Sequence, residues 1–159
     1  VEDSEGYYFG CDDDLLYPTD YVPTLINSIE KYKRRAAVSA HGSILVGNVD
    51  SYYKNRAVLP CLGTVHEDTP VHVLGTGVLA FHSDTIKVKY EDFKSPNMAD
   101  IWFALYTQSN GIKAVTIRHG EGWLKHSEKV DLDETIYAWK VNDDSEMTKA
   151  ICSIRHWNR

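Results

Sequence analysis

Cysteine is scarce and unpaired in this 159-residue chain. Cys11, Cys61 and Cys152 are its three cysteines and lie far apart. They make neither a CxxC metal or redox pair nor a disulfide framework, and a reducing cytosol is the expected setting. No apolar run approaches the roughly 20 residues of a membrane-spanning helix, and no secretory signal is visible from Val1 onward. Positive charge is in deficit: 17 Lys and Arg against 23 Asp and Glu leave a net charge of -6. That balance excludes broad binding to a phosphate backbone, and with it a nucleic-acid partner. The densest cationic patch, Lys31, Lys33, Arg34 and Arg35, reads as the solvated end of a helix, where cations complement the helix dipole. The GKS or GKT ending of a P-loop is missing, which excludes ATP hydrolysis by that route. No signal for oligomeric state is visible.

What is present is a 43% apolar, 11% aromatic composition, enough for one ordinary core. One stretch organises the rest: Gly6-Tyr7-Tyr8-Phe9-Gly10-Cys11-Asp12-Asp13-Asp14-Leu15-Leu16-Tyr17-Pro18. An aromatic run reads as a buried strand, and it ends in three successive carboxylates before a Tyr-Pro turn. Adjacent like charges repel, and a hard divalent cation, Mg²⁺ or Mn²⁺, relieves the repulsion by binding carboxylate oxygens. On an extended backbone Asp12 and Asp14 point to one side and Asp13 to the other. A solvated acidic turn is the plain alternative.

In chain order, Thr19 or Asp20 caps a first helix with Pro23 in its first turn. Val22, Leu25, Ile26, Ile29 and Tyr32 recur at helical spacing as its buried face. Residues 36–40 read as a strand leading into His41-Gly42, and 47–69 as mostly loop with one short strand, either decoration or a carrier of substrate contacts. Val71 to Phe81 holds two β-rich runs around Gly75-Thr76-Gly77, whose glycines permit positive φ or a close approach to the backbone. A helix spans Asn97 to Asn110, with Asn97 as cap, Gly111 as stop, and Ile101, Trp102, Leu105 and Tyr106 as its apolar stripe. Asp100 in its first turn either complements the helix dipole or faces a reacting centre as general base or stabiliser of positive charge. A strand over 113–117 leads into Arg118-His119-Gly120-Glu121-Gly122-Trp123-Leu124-Lys125-His126, which has the composition of a mobile loop over a phosphate-bearing ligand. His119 or His126 either completes a metal shell or is an ordinary surface histidine. Residues 131–139 and 144–157 read as helices packed through Ile136, Trp139, Met147, Ile151 and Ile154.

The set CDDDLLYPTDYV, HG, LGTGVLAF, NMADIWFALYTQSNGI and a strand into an Arg-containing loop with GWL resembles bacterial GT-A glycosyltransferases. Nearest in pattern are the capsule-type N-acetylglucosaminyltransferases of heparosan synthesis, over roughly Tyr7 to Leu124. The resemblance implies an α/β fold: a GT-A-like mixed sheet with flanking helices and the DxD at a strand end. It implies a transferase that moves a sugar, N-acetylglucosamine in the nearest relatives, from a UDP-sugar to a glycan or lipid-linked glycan in the cytoplasm, at the inner face of the membrane. Carried over, Asp14 is the direct ligand of Mn²⁺ or Mg²⁺ and Asp12 approaches the ribose or the metal, while His126 is taken from the residue reading as the further ligand. Asp12, Asp13, Arg118 and Trp123 meet the donor, the last two from a loop that closes over it. His41, Gly75, Thr76 and Gly77 line the acceptor or sugar pocket, and Asp100 sits near the anomeric carbon. GT-A enzymes place a uracil-binding βαβ half ahead of the DxD, whereas eleven residues precede Asp12. Residues 1–159 are therefore expected to form one catalytic, C-terminal portion of the fold, with the other half in a longer enzyme or another chain.

Two other readings compete. The strand before DDDLL also resembles the nucleophile motif of haloacid-dehalogenase phosphatases, which requires a second acidic pair; Asp143-Asp144 is the pair available. The ten Tyr and four Trp equally suit a non-catalytic carbohydrate-binding or scaffold domain, although aromatics also serve a core without such a purpose.

Overall fold

The computed structural model describes residues 4–127 and 143–159. Its order begins with β1 (Tyr7–Phe9), β2 (Leu15–Leu16), α1 (Tyr21–Lys31), β3 (Ala36–Ser39) and β4 (Gly42–Leu45). There follow β5 (Arg56–Leu59), β6 (Thr69–Pro70), β7 (Val73–Leu74), a 3-10 turn at Thr76–Val78 and β8 (Leu79–His82). The described chain closes with α2 (Ala99–Ser109), β9 (Lys113–Thr116), β10 (Lys125–His126) and α3 (Ser145–Ile151). The architecture is mixed α/β.

A five-stranded sheet ordered β1-β8-β3-β9-β6 forms the centre. β3 runs parallel to β9 and antiparallel to β8, and β1 and β6 pair antiparallel at the two edges. Strand alternation sends neighbouring side chains to opposite faces. Ala37, Leu79, Phe81 and Ala114 join the cluster that includes Phe103 of α2. Val38, Ala40, Ala80 and Ile117 join Tyr21, Leu25 and Ile29 of α1 on the other face. Both faces of the central strands are thus covered, which is why 36–40 reads as an unbroken run of small apolar residues. A third cluster packs Met98, Ile101 and Ala104 against Met147 and Ile151 of α3 and against Tyr52. A three-stranded sheet β5-β4-β7 and a two-stranded sheet β10-β2 complete the described strands.

Several expectations require correction. Val22 is 47% exposed, because the stripe facing the sheet runs through Tyr21, Leu25 and Ile29 instead. Asp20 occupies the N-cap position of α1 but makes no side-chain cap; its Oδ1 accepts from Trp123 Nε1 at 3.1 Å. The cap of α2 is Met98, not Asn97. Asn97 stands just outside with φ 59°, a left-handed conformation that asparagine tolerates better than most residues. The buried side of α2 is Ile101, Phe103, Ala104 and Thr107, with Trp102, Leu105 and Tyr106 only partly covered. The last helix stops at Ile151 rather than continuing to Trp157, so Ile154 lies beyond it. The expected helix at 131–139, with Ile136 and Trp139, lies outside the described residues. Gly111, with φ 64°, ends α2 as expected.

Candidate functional site

The acidic stretch is positioned by an unusually close backbone approach. β1 pairs with β8 in register up to Phe9 and Ala80, and the pairing continues beyond the strand. Gly10 N–H donates to Leu79 O at 2.9 Å, and Asp12 N–H to Gly77 O at 3.1 Å. The chain after β1 therefore lies directly against the 3-10 turn that precedes β8. A side chain at Gly10 would overlap the Thr76 carbonyl, and one at Gly77 would overlap the Asp12 carboxylate. Neither Gly75 nor Gly77 has positive φ. The Gly-Thr-Gly is thus needed for close approach, and what approaches is the protein itself: Asp12 over Gly77, and the His41 ring over Gly75, whose Cβ would stand 2.9 Å from that of His41.

Beyond Asp12 the chain turns at Asp13 and Asp14 instead of running extended, then enters β2. β10 pairs antiparallel with β2, setting His126 opposite Leu15, and Ser127 N–H donates to Asp14 O at 2.8 Å. The acidic turn is therefore gripped from both sides, by the 3-10 turn and by β10. Tyr17 adds a third hold. Its hydroxyl lies 2.7 Å from Asp12 N and 2.6 Å from Gly77 O, and burial raises its pKa far above the usual phenol range.

These elements border one cavity of about 550 Å³. Asp12, Asp14, Leu15 and His126 line one part of it; His41, Cys61 and Gly75 to Val78 line another; Tyr53, Arg56, Val58, Asn97, Ala99, Asp100 and Met147 complete it. Eight residues singled out in the sequence, Asp12, Asp14, His41, Gly75, Thr76, Gly77, Asp100 and His126, thus share one space. Asp13 is exposed on the turn and, like Arg118 and Trp123, is outside the cavity wall. Arg118 is exposed, and its backbone N–H donates to Asp68. Trp123 stacks on His119 at 5.7 Å, lies 5.6 Å from Tyr21, and donates to Asp20. His119 is buried with its Nε2 2.9 Å from Ala40 O. The segment after β9 is therefore pinned to the body of the fold by His119 and Trp123, and those two side chains act as packing rather than as a cover for the cavity.

The electrostatics divide the cavity. The Asp12 carboxyl is pushed up first by desolvation, then by the charges of Asp14 and Asp13. Asp100 is also pushed up by desolvation, against the opposing pull of the Ile101 N–H and of Arg56; that N–H donates to its Oδ1 at 2.9 Å. Arg56 was not anticipated from the sequence, yet among the described residues it is the cation lining this cavity. Its guanidinium stands 4.6 Å from the Tyr52 ring centroid and 4.5 Å from that of Tyr53, a cation–π arrangement that holds the long side chain in place. The signal was a Tyr-Tyr pair shortly before an arginine in a segment of weak periodicity.

Asp12 and Asp14 suit a hard cation: two carboxylates facing one cavity, the first destabilised in its charged form by the second. Among the described residues, no group of three or more His, Cys, Asp or Glu is gathered closely enough to hold a metal alone. Mg²⁺ at phosphate sites is held by one or two carboxylates with waters and substrate phosphates supplying the rest, and Asp12 and Asp14 could serve in that way. His126 borders the same cavity without closing such a group.

His41 is partly buried, and its Nδ1 accepts the Cys61 N–H at 3.3 Å. Its pKa is lowered to about 4, by burial first and by Arg56 and His119 after it. The sign of the pH effect follows. Between the ordinary value of 6.5 and about 4, the unfolded chain takes up a proton that the folded chain refuses, so this contribution to stability is lost as pH falls through that window. Asp12 and Asp100, with raised values, act oppositely just above the ordinary carboxylate range. Subtraction isolates the histidine: His41→Gln is expected to flatten the fall in thermal midpoint between pH 6.5 and about 4.5 that is expected of the unsubstituted protein. Parallel pH dependences in the two proteins would contradict a neutral, partly buried His41.

Among the described residues no helix is long and apolar enough to cross a membrane. Compared with known proteins, the chain matches no protein-family model, and no curated protein is significantly similar to it.

Proposed function

We propose that this protein is a metal-dependent glycosyltransferase of the GT-A type, transferring a sugar from a nucleotide-diphosphate donor, UDP-N-acetylglucosamine by resemblance, to a glycan or lipid-linked glycan. One observation carries the reading. Residues distant in sequence and chosen for one kind of site, Asp12 and Asp14, Gly75 to Gly77, and Asp100, border the same cavity. The mixed α/β sheet with its acidic turn at a strand end is compatible with that fold. The phosphatase reading loses support because Asp144 is occupied elsewhere: its Oδ2 accepts from Ser51 Oγ at 2.7 Å and from Tyr53 N at 2.8 Å.

In the proposed reaction the bond from the anomeric carbon to the diphosphate oxygen breaks with its electron pair going to the diphosphate, and the acceptor oxygen bonds to that carbon. A bound Mn²⁺ or Mg²⁺ supplies positive charge where the leaving group becomes negative. Asp12 and Asp14 would hold that ion beside the diphosphate, and Arg56 takes the cationic role that the resemblance assigned to Arg118. Asp100 accepts the acceptor hydroxyl proton in an inverting transfer; in a retaining one it faces the positively charged ring and the departing diphosphate oxygen takes that proton. His41, kept neutral, with its Nδ1 accepting from the Cys61 N–H, presents an Nε2–H donor for sugar hydroxyls. By the same resemblance the reaction belongs in the cytoplasm, at the inner face of the membrane.

The test is transfer of radiolabelled N-acetylglucosamine from UDP to capsule-type glycan acceptors. Product is expected with Mn²⁺, none with a chelator, and at least about a hundredfold less from Asp100→Asn, the scale of general acid–base catalysis. Glycan binding that ignores UDP and metal, with no product, would support a carbohydrate-binding module instead.

A further inference from the structure

We propose that Tyr17 is the positioning residue of the acidic turn, its hydroxyl clasping Asp12 to Gly77 so that the Asp12 carboxylate is held ready for a divalent cation. The inference rests on the reading of Asp12 and Asp14 as cation ligands. A phenol has one proton. With Gly77 O at 2.6 Å and Asp12 N at 2.7 Å, the hydroxyl donates to the first and accepts from the second. Asp12 O, at 3.2 Å, is then left without that proton.

Asp12 N–H already has a backbone partner in Gly77 O at 3.1 Å, so the hydroxyl is not required merely to satisfy it. What it adds is restraint from a second direction. The Tyr17 ring lies edge-on to Tyr21 at 4.8 Å, and Tyr21 is a buried residue of α1. The acidic turn is thereby referenced to the helix and the 3-10 turn at once. The seat is close-fitting: a Cβ on Gly77 would overlap the Asp12 carboxylate. A ligand whose backbone is held this way loses less freedom when a cation binds, and removal of an outer partner of a metal ligand typically costs about 10–100-fold in metal affinity.

Tyr21 supplies the control, since its hydroxyl is buried with no hydrogen-bond partner among the described residues. Mn²⁺ affinity is measured by electron paramagnetic resonance, with circular dichroism and thermal melts reporting the fold. Tyr17→Phe is expected to weaken Mn²⁺ binding about tenfold with its spectrum intact, whereas Tyr21→Phe leaves affinity unchanged. Gly77→Ala reaches the same seat from the other side and is expected to lose about as much. The double variant Tyr17→Phe/Gly77→Ala is expected to be no weaker than the worse single one. Unchanged affinity in Tyr17→Phe, or equal losses in Tyr17→Phe and Tyr21→Phe, would overturn the proposal while leaving the metal reading standing. If Tyr17→Phe does not fold, unsubstituted affinity in Gly77→Ala overturns it. Absence of Mn²⁺ binding to the unsubstituted protein overturns both.

Discussion

Truncation of Leu25 to alanine is expected to lower the unfolding free energy by about 2–5 kcal/mol, the usual cost of emptying a buried leucine site. Leu25 is fully buried between α1 and the sheet, in the cluster that also holds Val38, Ala80, Ile117 and Leu124. Trp123, Tyr17 and Cys61 pack against the same cluster, so a void there opens beneath the supports of the acidic turn. Against a total of roughly 5–15 kcal/mol for an ordinary domain, the loss is large. Val22→Ala is the matched comparison, one helical turn earlier and 47% exposed, with an expected change within about 0.5 kcal/mol. Urea unfolding followed by tryptophan fluorescence measures both. Equal losses at the two positions would contradict the placement of α1.

Asp14→Asn is expected to reduce Mn²⁺ affinity by at least about a hundredfold, because affinity for a hard cation tracks the number of charged oxygen ligands. Stability should not fall with it. The asparagine keeps the volume, the Asp14 carbonyl keeps its bond from Ser127 N–H, and the repulsion that Asp14 exerts on Asp12 disappears. The thermal midpoint is thus expected to hold or rise while metal binding collapses, the trade expected of a site that keeps like charges together for function. Calorimetric Mn²⁺ titration alongside thermal melts checks the pair of signs. Equal affinity in both proteins would mark Asp14 as part of a solvated turn.

The sequence revealed those parts of the fold in which chain neighbours carry the physics. Short β-rich apolar runs and helical spacing located β3, β8, β9 and both longer helices, and Gly111 marked the end of α2, because each signal spans only a few residues. Errors arose where a distant partner decides. Val22 fits the helical period as well as Tyr21 does, and only the direction of the sheet tells them apart. Asp20 is a good cap by composition, but Trp123 claims its carboxylate. Asp144 looks like half of an acidic pair until Ser51 and Tyr53 are seen around it. In the site, the carboxylates and glycines were legible because their chemistry is conspicuous. Arg56 was not, since its place in the cavity comes from β5 crossing beside β4 and from the two tyrosine rings that hold it. Arg118 and Trp123 were assigned by the family resemblance to a loop that closes over the donor, and neither resemblance nor composition says which way this loop folds back.

The central claim is a metal-dependent diphosphate site at Asp12 and Asp14. Calorimetric titration of UDP into the protein, with and without Mn²⁺, tests it most directly. The account predicts binding that requires Mn²⁺ and disappears with a chelator. UDP heats identical with and without metal, or none in either, would contradict it.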